Sequence, residues 1–297
     1  MDNLTPNMTE LSPFHKGEQH LQEITGRRRL TEKIGRNFIR PYLTEQHQDF
    51  FRELRYLFLS RRDGDGWPLP LFLQDDLPLM TVPDDQHLIL HGPPGDLQEG
   101  QRLGVLGLDL TNRRRNRVNG RIIAREEDLI ILRVDQAYGN CPQYIDLEDV
   151  GRLPAPGPEV TLTYLTPELE GFIRANRRFF IASGYNGHLN DVLSGMDISH
   201  RGGVPGFVQV VAPDRLIFPD YSGNNFFNTL GNILMDGKAG LMFIDFLSGA
   251  RLRILGKARI IFKNFEEAGW TPDPDAPEAN RLVEVEIEKV LHAPGGP

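Results

Sequence analysis

Hydrophobic positions change their spacing twice along the chain. Residues 1–13 are polar, contain Pro6 and Pro13, and show no hydrophobic period, which predicts a flexible arm. From Phe14 to Leu54 the apolar residues are sparse and spaced for helices, with Thr31 and Thr44 placed as N-caps and a break at Pro41. After Arg55 short β-rich runs take over, separated by Gly, Pro and Asp. They are Tyr56–Ser60, the turn Asp63–Gly66, Trp67–Gln74, His87–His91, Gly104–Leu110, and Arg117–Ala124 against Leu129–Val134. Such spacing predicts an antiparallel barrel. Residues 151–168 carry four prolines and read as a linker, after which the β texture restarts at Arg177. The expected organisation is an arm and helical segment over 1–54, a first barrel over 55–150, the linker, and a second barrel over 169–297.

Internal repetition supports that division. Residues 103–123 align without a gap on 239–259, pairing Gly104 with Gly240, Asp109 with Asp245, Arg115 with Arg251, Arg117 with Arg253 and Gly120 with Gly256. Weaker matches keep the same order: Tyr56–Ser60 on Phe179–Ser183, and Pro83–Leu90 on Ala212–Phe218. The predicted class is therefore mainly β (α+β), with two antiparallel barrels in tandem, peripheral helices and a helical N-terminal segment.

Composition narrows the function. The 297 residues are 39% hydrophobic and 25% charged with a net charge of -8, a globular balance without a bulk positive field for nucleic acid or anionic lipid. No apolar run approaches the roughly 18–20 residues of a membrane span. The first residues lack the cationic start and apolar stretch of a signal peptide, and Cys141 is the only cysteine. A cytoplasmic location, with neither nucleic acid nor membrane as partner, is the expectation. The basic cluster Arg113–Arg117 reads most simply as a solvated hairpin, and Cys141 as a packed, inert thiol. His188 and His200 flank Asp191 and Asp197, but their spacing matches no metal-ligand template, so no metal is expected. Hydrolase, NTPase and zinc-protease motifs are absent.

The stretch Ser199–Ile233 is the most informative. It reads as a Gly-rich turn, a strand over Phe207–Val211, a second strand over Leu216–Phe218, a polar loop Pro219–Asn225, and a helix from Asn225 with Phe226, Phe227, Leu230, Ile233 and Leu234 on one face. A Ser, Gly and Asn loop ahead of a helix offers unpaired N–H groups to a phosphate. An ordinary helix capped by Asn224 or Asn225 fits the same residues.

These residues, with Lys238–Ile244 and Arg251–Ile261 after them, resemble the FMN-binding split-barrel family typified by pyridoxamine 5′-phosphate oxidases. The likeness covers nearly all of 170–290 and, less sharply, 14–150. Ser199–Gly203 with Pro205–Val208 is similar to a bacterial flavin-nucleotide-binding subgroup. The resemblance implies that each half is a six-stranded split β-barrel and that FMN is the cofactor, lined by Phe207, Val208 and Gln209 and held at its phosphate by Pro219, Asp220, Ser222, Asn224 and Asn225. The family's phosphate-gripping Arg-Lys pair is represented here by asparagines. Arg201 or Arg253 would supply the counter-charge, with Arg251 and Lys257 as further candidates. Asn140-Cys141-Pro142-Gln143-Tyr144 looks like the segment that closes the pocket in related flavin proteins. Because His91–Gly95 stands where the second half has its Ser-Gly-Asn-Asn loop, the first half is expected to lack a phosphate site and to cover the flavin instead.

The family's substrate-holding Arg-x-His and terminal Arg-Leu-x-Pro features are missing, so vitamin B6 oxidation is not implied. The leading expectation is an oxidoreductase moving hydride or electrons between FMN and a small-molecule substrate or electron donor, as a homodimer, with no catalytic side chain named. The alternatives are a carrier or sensor of a flavin or heme-like ligand without turnover, and a scaffold that has lost its cofactor.

Overall fold

In the computed structural model, residues 12–187 and 193–296 are described. Most of the expected arm, residues 1–11, and His188 and Asp191 lie outside them. Three short helices open the chain: α1 Lys16–Ile24, α2 Arg28–Phe38 and α3 Glu45–Glu53. Thr44 caps α3 by accepting from the His47 N–H, as its position predicts, whereas Thr31 lies buried inside α2. His15 and Glu18 form a reciprocal capping box that starts α1, a signal the sequence reading missed because histidine is an unusual cap.

Strands β1 Tyr56–Arg62, β2 Pro68–Gln74, β3 Met80–Thr81, β4 His87–His91, β5 Arg102–Asp109, β6 Arg114–Arg125 and β7 Leu129–Gly139 form an antiparallel sheet in the order β2-β1-β5-β6-β7-β4-β3. After β8 Val160–Leu162 and α4 Pro167–Ala175, the second half supplies β9 Arg178–Tyr185, β10 Gly195–Gly202, β11 Gln209–Ala212 and β12 Arg215–Asp220. Then come α5 Asn228–Asp236, β13 Lys238–Ile244, β14 Arg251–Ile261 and β15 Arg281–Ala293. Its order is β10-β9-β13-β14-β15-β12-β11, with β8 added beside β15. The two paths are identical strand for strand, and the fold is a tandem of split barrels. Each path has seven strands rather than the expected six, and β8 falls within the stretch read as linker.

The gapless repeat superimposes β5–β6 on β13–β14 in the observed register, but the match upstream slips by one residue. Gly104 pairs with Ser60 and Gly240 with Ala182, so Ser60 corresponds to Ala182 and Phe58 to Phe180. A shared small residue after an apolar run misled the comparison, since pairing register is invisible in a short hydrophobic string.

Phe58 and Phe180 meet at the seam between the halves. Their rings stack at 3.6 Å and both are fully buried. Around them Leu106, Leu108, Ile198 and Met242 make a core drawn from both barrels. Each such side chain contributes about 1.5–3 kcal/mol by burial, which ties the halves into one body.

Helix α1 is docked on the far half. Gly17 and Gly231 let α1 and α5 approach so closely that a Cβ on Gly17 would lie 2.4 Å from the Gly231 carbonyl oxygen. Across this contact His15 Nε2 bonds Asn232 Oδ1 at 3.0 Å, and Gln22 donates to the Phe226 carbonyl at 3.2 Å.

Candidate functional site

Helix α5 begins three residues later than the sequence predicts. Asn225 and Phe227 adopt left-handed backbone angles, φ 59° and 62°, which turn the chain before the helix can start. Neither Asn224 nor Asn225 is the cap: Phe227 occupies that position and makes no side-chain capping bond. Asn224 Oδ1 instead accepts from the Phe226 N–H, bracing the turn. Among the described residues no acceptor serves the backbone N–H groups of Asn228, Thr229 and Leu230. The first turn of α5 carries no acidic side chain, so its partly positive end is open to an anion.

That end borders a cleft at the seam. The second half lines it with His200, Arg201 and Gly202 of β10, Pro219 and Asp220 of β12, the loop 221–225, the start of α5, and Arg281. The first half contributes Arg115 and Arg117 of β6 and the segment Asn140, Cys141, Gln143 and Tyr144. Tyr144 runs against β10 at Gly202, where a Cβ would sit 2.0 Å from the Tyr144 carbonyl oxygen. Tyr144 Oη donates to the Ser222 carbonyl at 3.0 Å, joining this segment to the loop.

Arg115 and Arg117 share a strand face by the two-residue period, and their fates differ. Arg117 is 4% exposed. Its Nη1 lies 2.7 Å from Asp197 Oδ1, 2.9 Å from Tyr138 Oη and 3.3 Å from Asn228 Oδ1, while Nη2 donates to Ser199 Oγ. It is a bolt between the halves. Arg115 has no side-chain acceptor or acidic partner among the described residues. Burial, with Arg117 and Arg201 adding like charge, pushes its pKa down to about 10, still cationic at neutral pH. Arg201 and Arg281 share Asp220, at 3.3 and 3.7 Å. Burial raises the Asp220 carboxyl against the pull of these two arginines. Four guanidiniums therefore face two carboxylates, leaving two positive charges. His200 is 4% exposed, and neither ring nitrogen has a partner among the described residues. Burial and the neighbouring Arg115, Arg178 and Arg201 hold its pKa well below the ordinary value, so it adds no charge.

Of the residues expected to hold a cofactor, Arg201, Phe207, Pro219, Asp220, Ser222, Asn224 and Asn225 all border this cleft. Arg201 does so from β10, which continues through the stretch read as a Gly-rich turn. Val208 packs into the core of the second barrel. Gln209 faces another groove, where its amide exchanges two hydrogen bonds with the Thr271 backbone. Arg253 pairs with Glu159, Arg251 lies over the Phe72 ring at 5.0 Å, and Lys257 pairs with Glu288 at 2.6 Å, all outside the cleft lining. Sequence reasoning missed Arg115, Arg117 and Arg281. The solvated-hairpin reading of the cluster is corrected at Arg115 and Arg117, because β6 turns them inward across the seam. Cys141, read as packed, is half-buried and borders the cleft. No group of three or more His, Cys, Asp or Glu side chains suited to a metal occurs among the described residues. No described helix is long and apolar enough to cross a membrane.

The repeat creates a second, equivalent location, and there the chain fills its own cleft. Arg251 and Arg253 correspond to Arg115 and Arg117, while the strand register sets Leu71, Phe72 and Leu73 in place of Ser199, His200 and Arg201. The linker closes over them. Leu153 is buried in the seam core and exchanges two backbone bonds with the Gln74 amide, at 2.7 and 3.0 Å. Gly157 donates to the Pro294 carbonyl, and Glu159 sits on Arg253.

Comparison with known proteins finds a family match in the second half of the chain. Residues 165–293 match the family model described as Pyridoxamine 5′-phosphate oxidase. No curated protein matches the chain. Among solved structures, HupZ of Group A Streptococcus is 15% identical, with a TM-score of 0.33 over 45% of this chain and 99% of its own. The FAD binding protein of Mycobacterium smegmatis is 14% identical, with a TM-score of 0.29 over 45% and 100%. HutZ, the heme storage protein of Vibrio cholerae, is 13% identical, with a TM-score of 0.28 over 44% and 94%. The second barrel, residues 165–293, is thus similar to the pyridoxamine 5′-phosphate oxidase family.

Proposed function

We propose that the seam cleft binds FMN, one molecule per chain, and that the protein is a flavin-dependent oxidoreductase acting with a small-molecule partner. The observation that carries this reading is the surplus of two guanidinium charges beside three unclaimed N–H groups of α5, a donor set suited to a phosphate dianion. Arg115, Arg201 and Arg281 would face the phosphate, with Arg117 braced behind them by Asp197. Unpartnered donors at Arg115 Nε, Arg201 Nε and Arg281 Nη1 fit a missing acceptor. The family match of the second barrel favours a flavin as the body attached to that phosphate. A bound flavin would supply reversible hydride or electron transfer, the protein providing position and electrostatics. Phe207 borders the cleft and offers an apolar wall, whereas Gln209 is engaged elsewhere and is not assigned to the ring.

The test is the absorbance of the purified protein and the identity of what heat releases. A yellow protein with a band at about 450 nm and one FMN per chain is the expected result. A colourless protein that gains no such band with added FMN would refute the reading. Reduction of the bound flavin by a nicotinamide donor would separate an enzyme from a carrier that never turns over.

A further inference from the structure

Helix α1 comes up behind the cleft from the opposite end of the sequence, and it meets the cleft-lining Asn228 with a carboxyl group. Glu18 is 4% exposed. One of its oxygens accepts the His15 N–H at 2.7 Å, and the other accepts from Asn228 Nδ2. Asn228 is the first residue of α5 and lines the cleft, where its Oδ1 accepts from Arg117. The side-chain amide is thus pinned from both sides. Its orientation is dictated by Glu18 behind it and Arg117 beside it.

We propose that Glu18 is a positioning residue for the anion site: through Asn228 it aims the first turn of α5 at the cleft, and its ionisation weakens the hold on a dianion. The proposal rests on the anion-binding reading above and adds an element from outside the matched barrel.

The charge argument follows from the surroundings. Burial raises the Glu18 pKa to about 8, and Asp197 adds to the rise against the two hydrogen bonds and Arg117. At neutral pH the group is largely a neutral acid. The titratable and charged groups facing it are His15 of its own helix at 3.5 Å, Asp197 of β10, Arg117 of β6 and Tyr138 of β7, with Asp135 lining the same small cavity. Arg117 is committed to Asp197, and the Tyr138 hydroxyl stays protonated because burial raises its pKa. When pH climbs through the Glu18 pKa, a negative charge therefore appears directly behind the α5 N-terminus. That charge opposes a bound phosphate and favours its release.

Glu18→Gln keeps the shape and one of the two accepted hydrogen bonds while removing the ionisable group, and Glu18→Ala removes the brace. Quenching of FMN fluorescence, titrated from about pH 6.5 to about pH 9.5, reads all three proteins. Wild-type affinity should fall about tenfold across that window. Glu18→Gln should lie between wild type and Glu18→Ala at the acid end and stay level, and Glu18→Ala should bind about tenfold more weakly than wild type at that end. Identical pH profiles for wild type and Glu18→Gln would overturn the assignment. The rise in Tm caused by inorganic phosphate gives a readout independent of flavin. If FMN does not bind while the phosphate shift keeps this three-way pattern, the flavin reading alone falls. A phosphate shift indifferent to both pH and Glu18→Gln overturns the role of Glu18.

Discussion

The two barrels present the same strands in the same order, yet only one of the two equivalent seam locations is an open anion cleft. At the open one, β6 faces Ser199, His200 and Arg201, and Arg115 is left without an acidic partner. At its counterpart, β14 faces Leu71, Phe72 and Leu73; Arg251 rests on an aromatic ring, and Arg253 is neutralised by Glu159 of the linker. The arginines were kept and their surroundings changed. The position of a basic residue in the repeat therefore says little about ligand binding until the facing strand is known. A covalent tandem can differ in this way, whereas two copies related by exact symmetry cannot.

The largest expected difference between the locations is in stability. Arg117→Met strands Asp197 as an unpaired buried charge and should cost about 3–5 kcal/mol in chemical denaturation. Arg253→Met breaks a partly solvated pair and should cost less than about 1 kcal/mol. Equal losses would break the comparison. Next comes binding. Arg115→Ala should weaken FMN about 10- to 100-fold by fluorescence titration, from the loss of a charged hydrogen bond. Arg251→Ala should leave affinity within about twofold, and a comparable loss there would mean that the linker-covered location also takes ligand. The smallest effect is expected at Asn225→Asp, which adds a partly exposed negative charge to the loop before α5. A roughly threefold to tenfold loss of FMN affinity, shrinking with added salt, would place the phosphate near residue 225. Unchanged affinity would move it toward Arg115 and away from the loop.

Much of this architecture was legible in the sequence because strand spacing and the repeat at residues 103–123 and 239–259 are local signals. The loop 219–225 was legible for the same reason: its polar residues precede a helix with an apolar face. Arg115 and Arg117 were not, since nothing in RRRNR distinguishes a solvated hairpin from one pressed against another barrel. Burial there is decided by β10, more than 80 residues away. Glu18 was hidden for a related cause: its raised pKa comes first from burial, then from contacts that include Asn228, Asp197 and Arg117, three residues scattered through the chain. Gln209 and Arg253 show the converse. Their residue types suit a ligand, but Thr271 and Glu159 occupy them. The start of α5 was misplaced because left-handed backbone at Asn225 and Phe227 overrides the helical spacing of the side chains.

The glycine-to-glycine contact of α1 with α5 also sets an order of assembly. Glu18 and Asn228 are 210 positions apart, so during synthesis the N-terminal helix emerges long before the surface that receives it. It must wait, undocked, until most of the second barrel has left the ribosome. Closing that contact therefore comes late in synthesis, and a nascent chain halted before Arg281 lacks part of the cleft lining.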